Sequence, residues 1–194
     1  MEQAPKIRKT QLTLIFGVNG AGKTTFIKEK IIPCRQKSLV VTPYLSEWTE
    51  LPIVSTPQEI YNLQGAARLI YKSPADFDNI RQYFYGGNLI LDDARRYLYR
   101  QSDENLSHIY VCRRQFGLDV YIVSHGPRRI PPEEFTYASF IVLFSCPENF
   151  SLRQKDMNED SFKKLLQYQK EIKAMNNKGD KYCYKILKVD DTIQ

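Results

Sequence analysis

The chain is 194 residues long, 42% hydrophobic and 26% charged, a composition that excludes a disordered chain and fits a soluble globule. That length suits one well-buried domain and is short for two. The formal net charge of +6 is compatible with a polyanionic partner such as nucleic acid, without requiring one.

Residues Met1 to Thr10 are polar and basic with no apolar core, so no secretion signal or membrane anchor is visible there. The longest apolar stretches, such as Ala138 to Phe144, fall far below the ~20 residues that span a bilayer. Leu12 to Phe16 is a short apolar run of strand type. Directly after it, Gly17-Val18-Asn19-Gly20-Ala21-Gly22-Lys23-Thr24-Thr25 satisfies G-x-x-x-x-G-K-[ST] in full. In physical terms this is a loop whose backbone N–H groups turn inward around phosphate oxygens. Lys23 is expected to reach the β- and γ-phosphates of ATP and Thr24 to place its hydroxyl on Mg²⁺. A helix beginning near Gly22 and running through Phe26 to Lys30 would aim its positive end at the anion.

Ser38 to Thr42 reads as a second strand ended by Pro43, and Trp48, in an unassigned connection, reads as a packing anchor. Ile53 to Ser55 suggests a short strand. Thr56-Pro57-Gln58-Glu59 has the form of a capping box with proline at the first helical position. Arg68 to Tyr71 reads as a strand, and Ser73-Pro74-Ala75-Asp76 opens a helix that closes before Gly86-Gly87. The recurring order of strand, cap, helix and glycine predicts an α/β domain with a largely parallel sheet.

Asn88 to Asp93 is a buried strand running into two carboxylates, which puts charge at the sheet edge where the phosphate loop opens. There Asp92 is the candidate for holding Mg²⁺ and Asp93 for orienting or deprotonating an attacking water. Taken alone, such a stretch is also an ordinary solvated acidic turn; downstream of a complete phosphate loop the metal role is favoured. Ser102 to Asn105 offers another helix start, and Leu118 to Val123 a strand that ends in Ser124-His125. Arg128 to Glu134 reads as a proline-stiffened loop, Ser139 to Ser145 as a strongly apolar strand, and Asp160 to Met175 as an amphipathic helix with lysines on its outer face. Tyr182 to Val189 alternates like an edge strand. The cysteines Cys34, Cys112, Cys146 and Cys183 stand singly, without metal-ligand spacing, and point to reduced thiols in a cytoplasm.

Together these stretches resemble the P-loop ATPases of the HerA/FtsK superfamily, especially its viral branch of Zot-like proteins and small genome-packaging ATPases. The resemblance rests on Gly17 to Thr25, Leu89 to Asp93 and Arg113 to Pro127, and covers roughly residues 10 to 145. It implies a three-layer RecA/ASCE-like fold in a single ATPase domain over 1–194. The strand of Tyr121 would then lie between the phosphate-loop strand and the strand of Leu91. It also implies an ATP- and Mg²⁺-dependent motor that forms a homo-oligomeric ring, hexamer or pentamer, around viral DNA, in the host cytoplasm or on the virion, where vertex proteins are further partners. By the family pattern Arg114 is the finger that reaches a neighbouring subunit's nucleotide, and His125 stands where a sensor glutamine is usual. Asp93 replaces the more usual glutamate. Arg95, Arg96, Arg113, Arg128 and Arg129 are rivals for the finger, each also readable as a surface or phosphate-contact side chain.

Other readings remain open. An ABC-type ATPase shares the phosphate loop and Val123-Ser124-His125, but the 69 positions from Lys23 to Asp92 leave no room for that family's helical subdomain, and no L-S-G-G-Q-like stretch precedes Asp92. A Zot-like phage assembly ATPase is usually membrane-anchored. A small P-loop kinase would need an arginine lid, for which Arg128-Arg129 is the one candidate. A nucleotide-binding regulatory subunit that hydrolyses weakly would suit the replacements at Asp93 and His125.

Overall fold

The computed structural model describes residues 10–98 and 104–189. Among these, seven strands form one sheet: β1 (Leu12–Phe16), β2 (Lys37–Thr42), β3 (Gly65–Ile70), β4 (Asn88–Leu91), β5 (Asp119–Ser124), β6 (Phe140–Leu143) and β7 (Lys185–Lys188). Their spatial order is β3-β2-β4-β5-β1-β6-β7, parallel throughout except for β7, which runs antiparallel to β6 at the edge. The strand of Tyr121 thus lies between β1 and β4, as the family resemblance implies.

Alternation along the strands divides the core in two, because successive side chains point to opposite faces. Leu12, Leu14 and Phe16 of β1, with Leu39, Leu89 and Val120, face α3 (Ala75–Tyr83), α4 (Glu104–Phe116), α5 (Pro132–Tyr137) and α6 (Glu159–Asn177) through Phe77, Ile109, Phe135 and Leu165. Ile15, Val40, Ile90 and Val123 face the other way, against Ile27, Ile31 and Trp48. The sheet is therefore covered on both sides, the condition that makes its strands nearly continuous apolar runs.

α1 (Lys23–Phe26) follows the phosphate loop and continues as a π turn over Ile27–Ile31 and a 3-10 turn over Ile32–Cys34. At its far end Asn88 donates to the Ile31 carbonyl at 2.8 Å and Arg35 binds the fully buried Asp119 carboxylate at 2.9 Å, which ties the helical segment to β4 and β5. α2 (Pro57–Tyr61) opens with the expected capping box: the Thr56 hydroxyl accepts from Glu59 N, and the Glu59 carboxylate accepts from Thr56 N.

Two expectations change. Arg128 to Glu134 is not a loop: a 3-10 turn at Pro127–Arg129 leads into α5, which starts on Pro132, because the first helical turn needs no N–H from proline and favours the acidic Glu133 and Glu134. Ile53 to Ser55 is reduced to a single bridge from Ile53 to Arg68, and the unassigned Phe150–Asp156 forms a 3-10 helix. The expected start of α4 at Ser102 and Asp103 lies outside the described residues. α6 packs on the sheet through Phe162, Leu165 and Ile172, and no helix among the described residues is long and apolar enough to cross a membrane.

Glu134 is buried beneath this layer at 1% exposure, and burial pushes its carboxyl up to about 8. The folded chain therefore binds a proton there that the unfolded chain releases near 4.5. Its contribution to stability is full below that lower value and is lost as pH rises toward 8. Urea unfolding of the wild type against Glu134→Gln is expected to show the variant gaining on the wild type by a few kcal/mol between pH of about 5 and about 8, and a constant difference across that window would contradict the assignment.

Candidate functional site

Parallel strands deliver their carboxyl ends to one edge of the sheet, and four of them meet here. The phosphate loop leaves β1 and is pinned on both sides: Gly17 N donates to Ser124 O at 3.2 Å, and Val18 N to Ser145 O at 2.8 Å. Gly17 has no room for a side chain, since a Cβ would lie 2.7 Å from that of Phe144. Gly22 takes φ 98°, a left-handed angle that glycine adopts without strain, and turns the chain into α1. The N–H groups of that first turn have no partner within the helix. Lys23 folds back over the loop, its ammonium donating to Gly17 O at 2.7 Å and Val18 O at 2.9 Å. Burial lowers its pKa, while Asp92 and Asp93 act to raise it.

A cleft of about 280 Å³ beside the loop gathers Asn19, Lys23 and Thr24 with Asp92, Asp93 and His125, so the phosphate loop, the carboxylates after β4 and the histidine after β5 share one space. The Asp92 carboxylate is held through both oxygens: Trp48 Nε1 donates to Oδ2 at 2.7 Å, and Asp93 N donates to Oδ1 at 3.1 Å. Behind it the buried Tyr97 hydroxyl donates to the Asp92 and Val41 carbonyls. Asp93 is 8% exposed and more heavily engaged. Arg95 Nε pairs with its Oδ1 at 2.5 Å, the Tyr44 hydroxyl donates to its Oδ2 at 2.9 Å, and His125 Nε2 stands 4.0 Å from Oδ1. Burial, with Lys23 and Arg95 nearby, lowers the His125 pKa and favours its neutral form.

Trp48 (φ 57°) and Asp93 (φ 47°) are the non-glycine residues with positive φ among the described residues. For a bulky tryptophan that angle is a true outlier; Asp93 lines the cleft and Trp48 bonds to the Asp92 that lines it, the kind of place where such strain collects. The segment that carries Trp48 is anchored from below by the buried Arg68, which donates to the carbonyls of Leu45 and Glu47. Glu47 also lines the cleft, and its carboxyl is pushed up by burial and by the neighbouring Asp92.

Of the predicted site residues, Gly17 to Thr25, Asp92, Asp93 and His125 come together. Arg114 does not join them: it is exposed on the last turn of α4, which passes through Gly117 into the start of β5, at the opposite edge of the sheet. It does not line this chain's own cleft. Among its rivals, Arg113 is buried with its guanidinium on the Tyr110 carbonyl rather than on the surface, and Arg96 lies over the Tyr44 ring. Arg128 is exposed, its backbone N–H donating to Glu148, and Arg95 stands in the chain's own cleft. Tyr44, Glu47 and the hydrogen bond from Trp48 are contributions that the sequence reading did not assign. The available signal was Pro43, which ends β2 at the same edge, but β2 is seen to neighbour β4 only in the assembled sheet.

The donor set fits Mg²⁺, which commonly takes one hydroxyl and one carboxylate and completes its shell with water and phosphate oxygens. Thr24 and Asp92 line the cleft together, and among the described residues there is no larger cluster of the kind that cages a metal with protein ligands alone.

No family model matches this chain, and no curated protein matches it. Solved structures do. The genome packaging NTPase B204 of Sulfolobus turreted icosahedral virus 2, in complex with AMPPCP, superposes with a TM-score of 0.68 at 17% identity, over 93% of this chain and 98% of that one. The same NTPase in complex with AMP gives 0.68 at 18% identity, over 80% and 86%. B204, the DNA-packaging ATPase from Sulfolobus turreted icosahedral virus, gives 0.66 at 17% identity, over 93% and 98%. At that identity the likeness is one of architecture, and the chain has the P-loop NTPase fold of these viral proteins.

Proposed function

We propose that this chain is an ATP-hydrolysing motor that moves DNA, and that its task is the packaging of a viral genome. The observation that carries the reading is the single cleft in which Lys23 and Thr24 of the phosphate loop meet Asp92, Asp93 and His125. The nucleotide-bound B204 structures, which share the fold, support it. So does a net charge of +6, which suits a polyanionic track.

On this reading the loop N–H groups from Gly17 to Thr25 cradle the phosphates, and Lys23 exchanges the Gly17 and Val18 carbonyls for β- and γ-phosphate oxygens. Thr24 and Asp92 hold Mg²⁺, with Trp48 and Asp93 N fixing the orientation of the Asp92 carboxylate. The ion supplies charge neutralisation on the β- and γ-phosphate oxygens. Asp93 takes a proton from the attacking water as its oxygen bonds to the γ-phosphorus and ADP departs. For that, its carboxylate must exchange Arg95 or Tyr44 for water. His125, neutral, senses the γ-phosphate. Arg114 completes the site of a neighbouring copy in a ring, hexamer or pentamer, in which each chain contributes one ATPase domain spanning 1–194. Proteins of the virion vertex are the fitting further partners.

The pairing of Asp93 with Arg95 and Tyr44 favours one second reading, a nucleotide-binding subunit that hydrolyses slowly. There ATP binds, but turnover stays near that of Lys23→Ala under every condition.

ATP turnover measured over a range of protein concentration, with and without double-stranded DNA and at two salt concentrations, tests the motor reading against Lys23→Ala as background. The rate per subunit is expected to rise with concentration and with DNA; a rate flat in both would overturn it. In the same assay Arg114→Ala should keep its ATP affinity and lose turnover by about a thousandfold, whereas weakened binding would remove Arg114 from the interface role. Trp48→Phe keeps the ring and removes the donor to Asp92, so half-maximal turnover should require about tenfold more Mg²⁺, and an unchanged requirement would show that Asp92 needs no such support.

A further inference from the structure

The phosphate loop also borders a second cleft, of about 310 Å³, which Glu47, Asp92 and Asp93 do not line. Gly22, Thr25 and Phe26, with the charged Glu29 and Lys30, line it from the phosphate-loop segment, and Phe144, Tyr182 and Tyr184 line it from later in the chain. Three of the rings pack on one another, Phe26 with its centroid 4.9 Å from that of Tyr184 and Phe144 5.2 Å from Tyr184, and they make a settled apolar floor. Tyr182 is different. It is 69% exposed, and it leans over the phosphate loop itself, since a Cβ on Gly22 would lie 3.4 Å from its ring. An exposed tyrosine alone means little. Here it stands over open space that is lined by two residues of the phosphate cradle, so a molecule in this cleft and an anion in the loop lie within one small ligand of each other.

We propose that this cleft receives the purine base of the nucleotide, stacked on Tyr182 above the floor of Phe26, Phe144 and Tyr184. The inference rests on the reading of Gly17 to Thr25 as a phosphate loop and extends it: the loop holds the phosphates, and residues after α6, far away in sequence, hold the base. The chemistry is that of a planar, polarisable ring between aromatic faces, a contact that tolerates either purine and is weaker for the smaller pyrimidine ring. A triphosphate without a base would gain nothing from Tyr182.

Titration calorimetry with Mg²⁺ and four probes, ATP, GTP, UTP and inorganic triphosphate, on the wild type, Tyr182→Ala and Tyr182→Phe, separates the possibilities. ATP and GTP should bind the wild type more tightly than UTP, lose about tenfold in affinity in Tyr182→Ala, and recover in Tyr182→Phe, while inorganic triphosphate binds all three proteins alike. Equal ATP affinity in the wild type and Tyr182→Ala would overturn the base site and leave the phosphate loop standing. An equal loss for ATP and inorganic triphosphate would overturn it too, by showing that Tyr182 only supports the loop. A wild type that binds neither ATP nor inorganic triphosphate would refute the phosphate-loop reading and this one with it. A fourth result, intact ATP affinity in Tyr182→Ala with loss of self-association in sedimentation, would assign the cleft to a second copy of the chain and overturn the base assignment.

Discussion

The contact on which the rest of this site depends is the seating of Gly17 between β5 and β6. Two backbone hydrogen bonds, to Ser124 O and Ser145 O, and the close approach to Phe144 hold the start of the phosphate loop in the plane of the sheet. Because Ser124 is the end of β5, the bond that fixes the loop also fixes where His125 emerges. Because Phe144 follows β6, the same contact sets the aromatic wall of the second cleft. The loop is thereby held in register with both, on a strand that itself pairs with β5 and β6.

Charge is the second organising constraint. Three carboxylates, Glu47, Asp92 and Asp93, line the cleft with two cations, Lys23 and Arg95. A charge taken out of water is costly without a partner, which fits the dense tethering of Asp92 by Trp48 and the Asp93 backbone N–H, and of Asp93 by Arg95 and Tyr44. The excess of carboxylate is what a divalent cation would relieve, and the lysine that now spends its protons on carbonyls is the group an incoming phosphate would draw away. On the proposed reading, the two clefts divide the work of a nucleotide site. The polar one suits the reacting phosphates, and the aromatic one suits the part of the ligand that only has to be recognised.

What could be read along the chain was whatever depends on neighbours a few residues apart. The phosphate loop is local backbone chemistry, so Gly17 to Thr25 was legible, as were the strand that runs into Asp92 and Asp93 and the capping box at Thr56, which is confirmed atom for atom. Alternation and helical spacing located β1, β2, β4, β5 and α6, because burial on one or two faces imposes a period on the sequence. Arg128 to Glu134 misled because two prolines and two arginines have the composition of a loop, while proline at the first turn costs a helix nothing.

Other features had no local signature. That Trp48 would give up a hydrogen bond to Asp92, or that Arg68 would brace the segment carrying Glu47, follows only when β2 lies between β3 and β4. That Arg113 is buried and Arg114 exposed is decided by how α4 rolls onto the sheet, since adjacent helical residues point about 100° apart and the sequence alone does not say which faces in. Tyr182 is 160 positions from Gly22 in the chain and touches it only because β7 returns antiparallel along β6. The form and place of the loop between β1 and α1 were therefore determined by the sequence itself, because a short loop carries its own backbone preferences. The surroundings of that loop, its carboxylate tethers and its aromatic wall, were decided by strand order, because a sheet brings together residues that the chain keeps far apart.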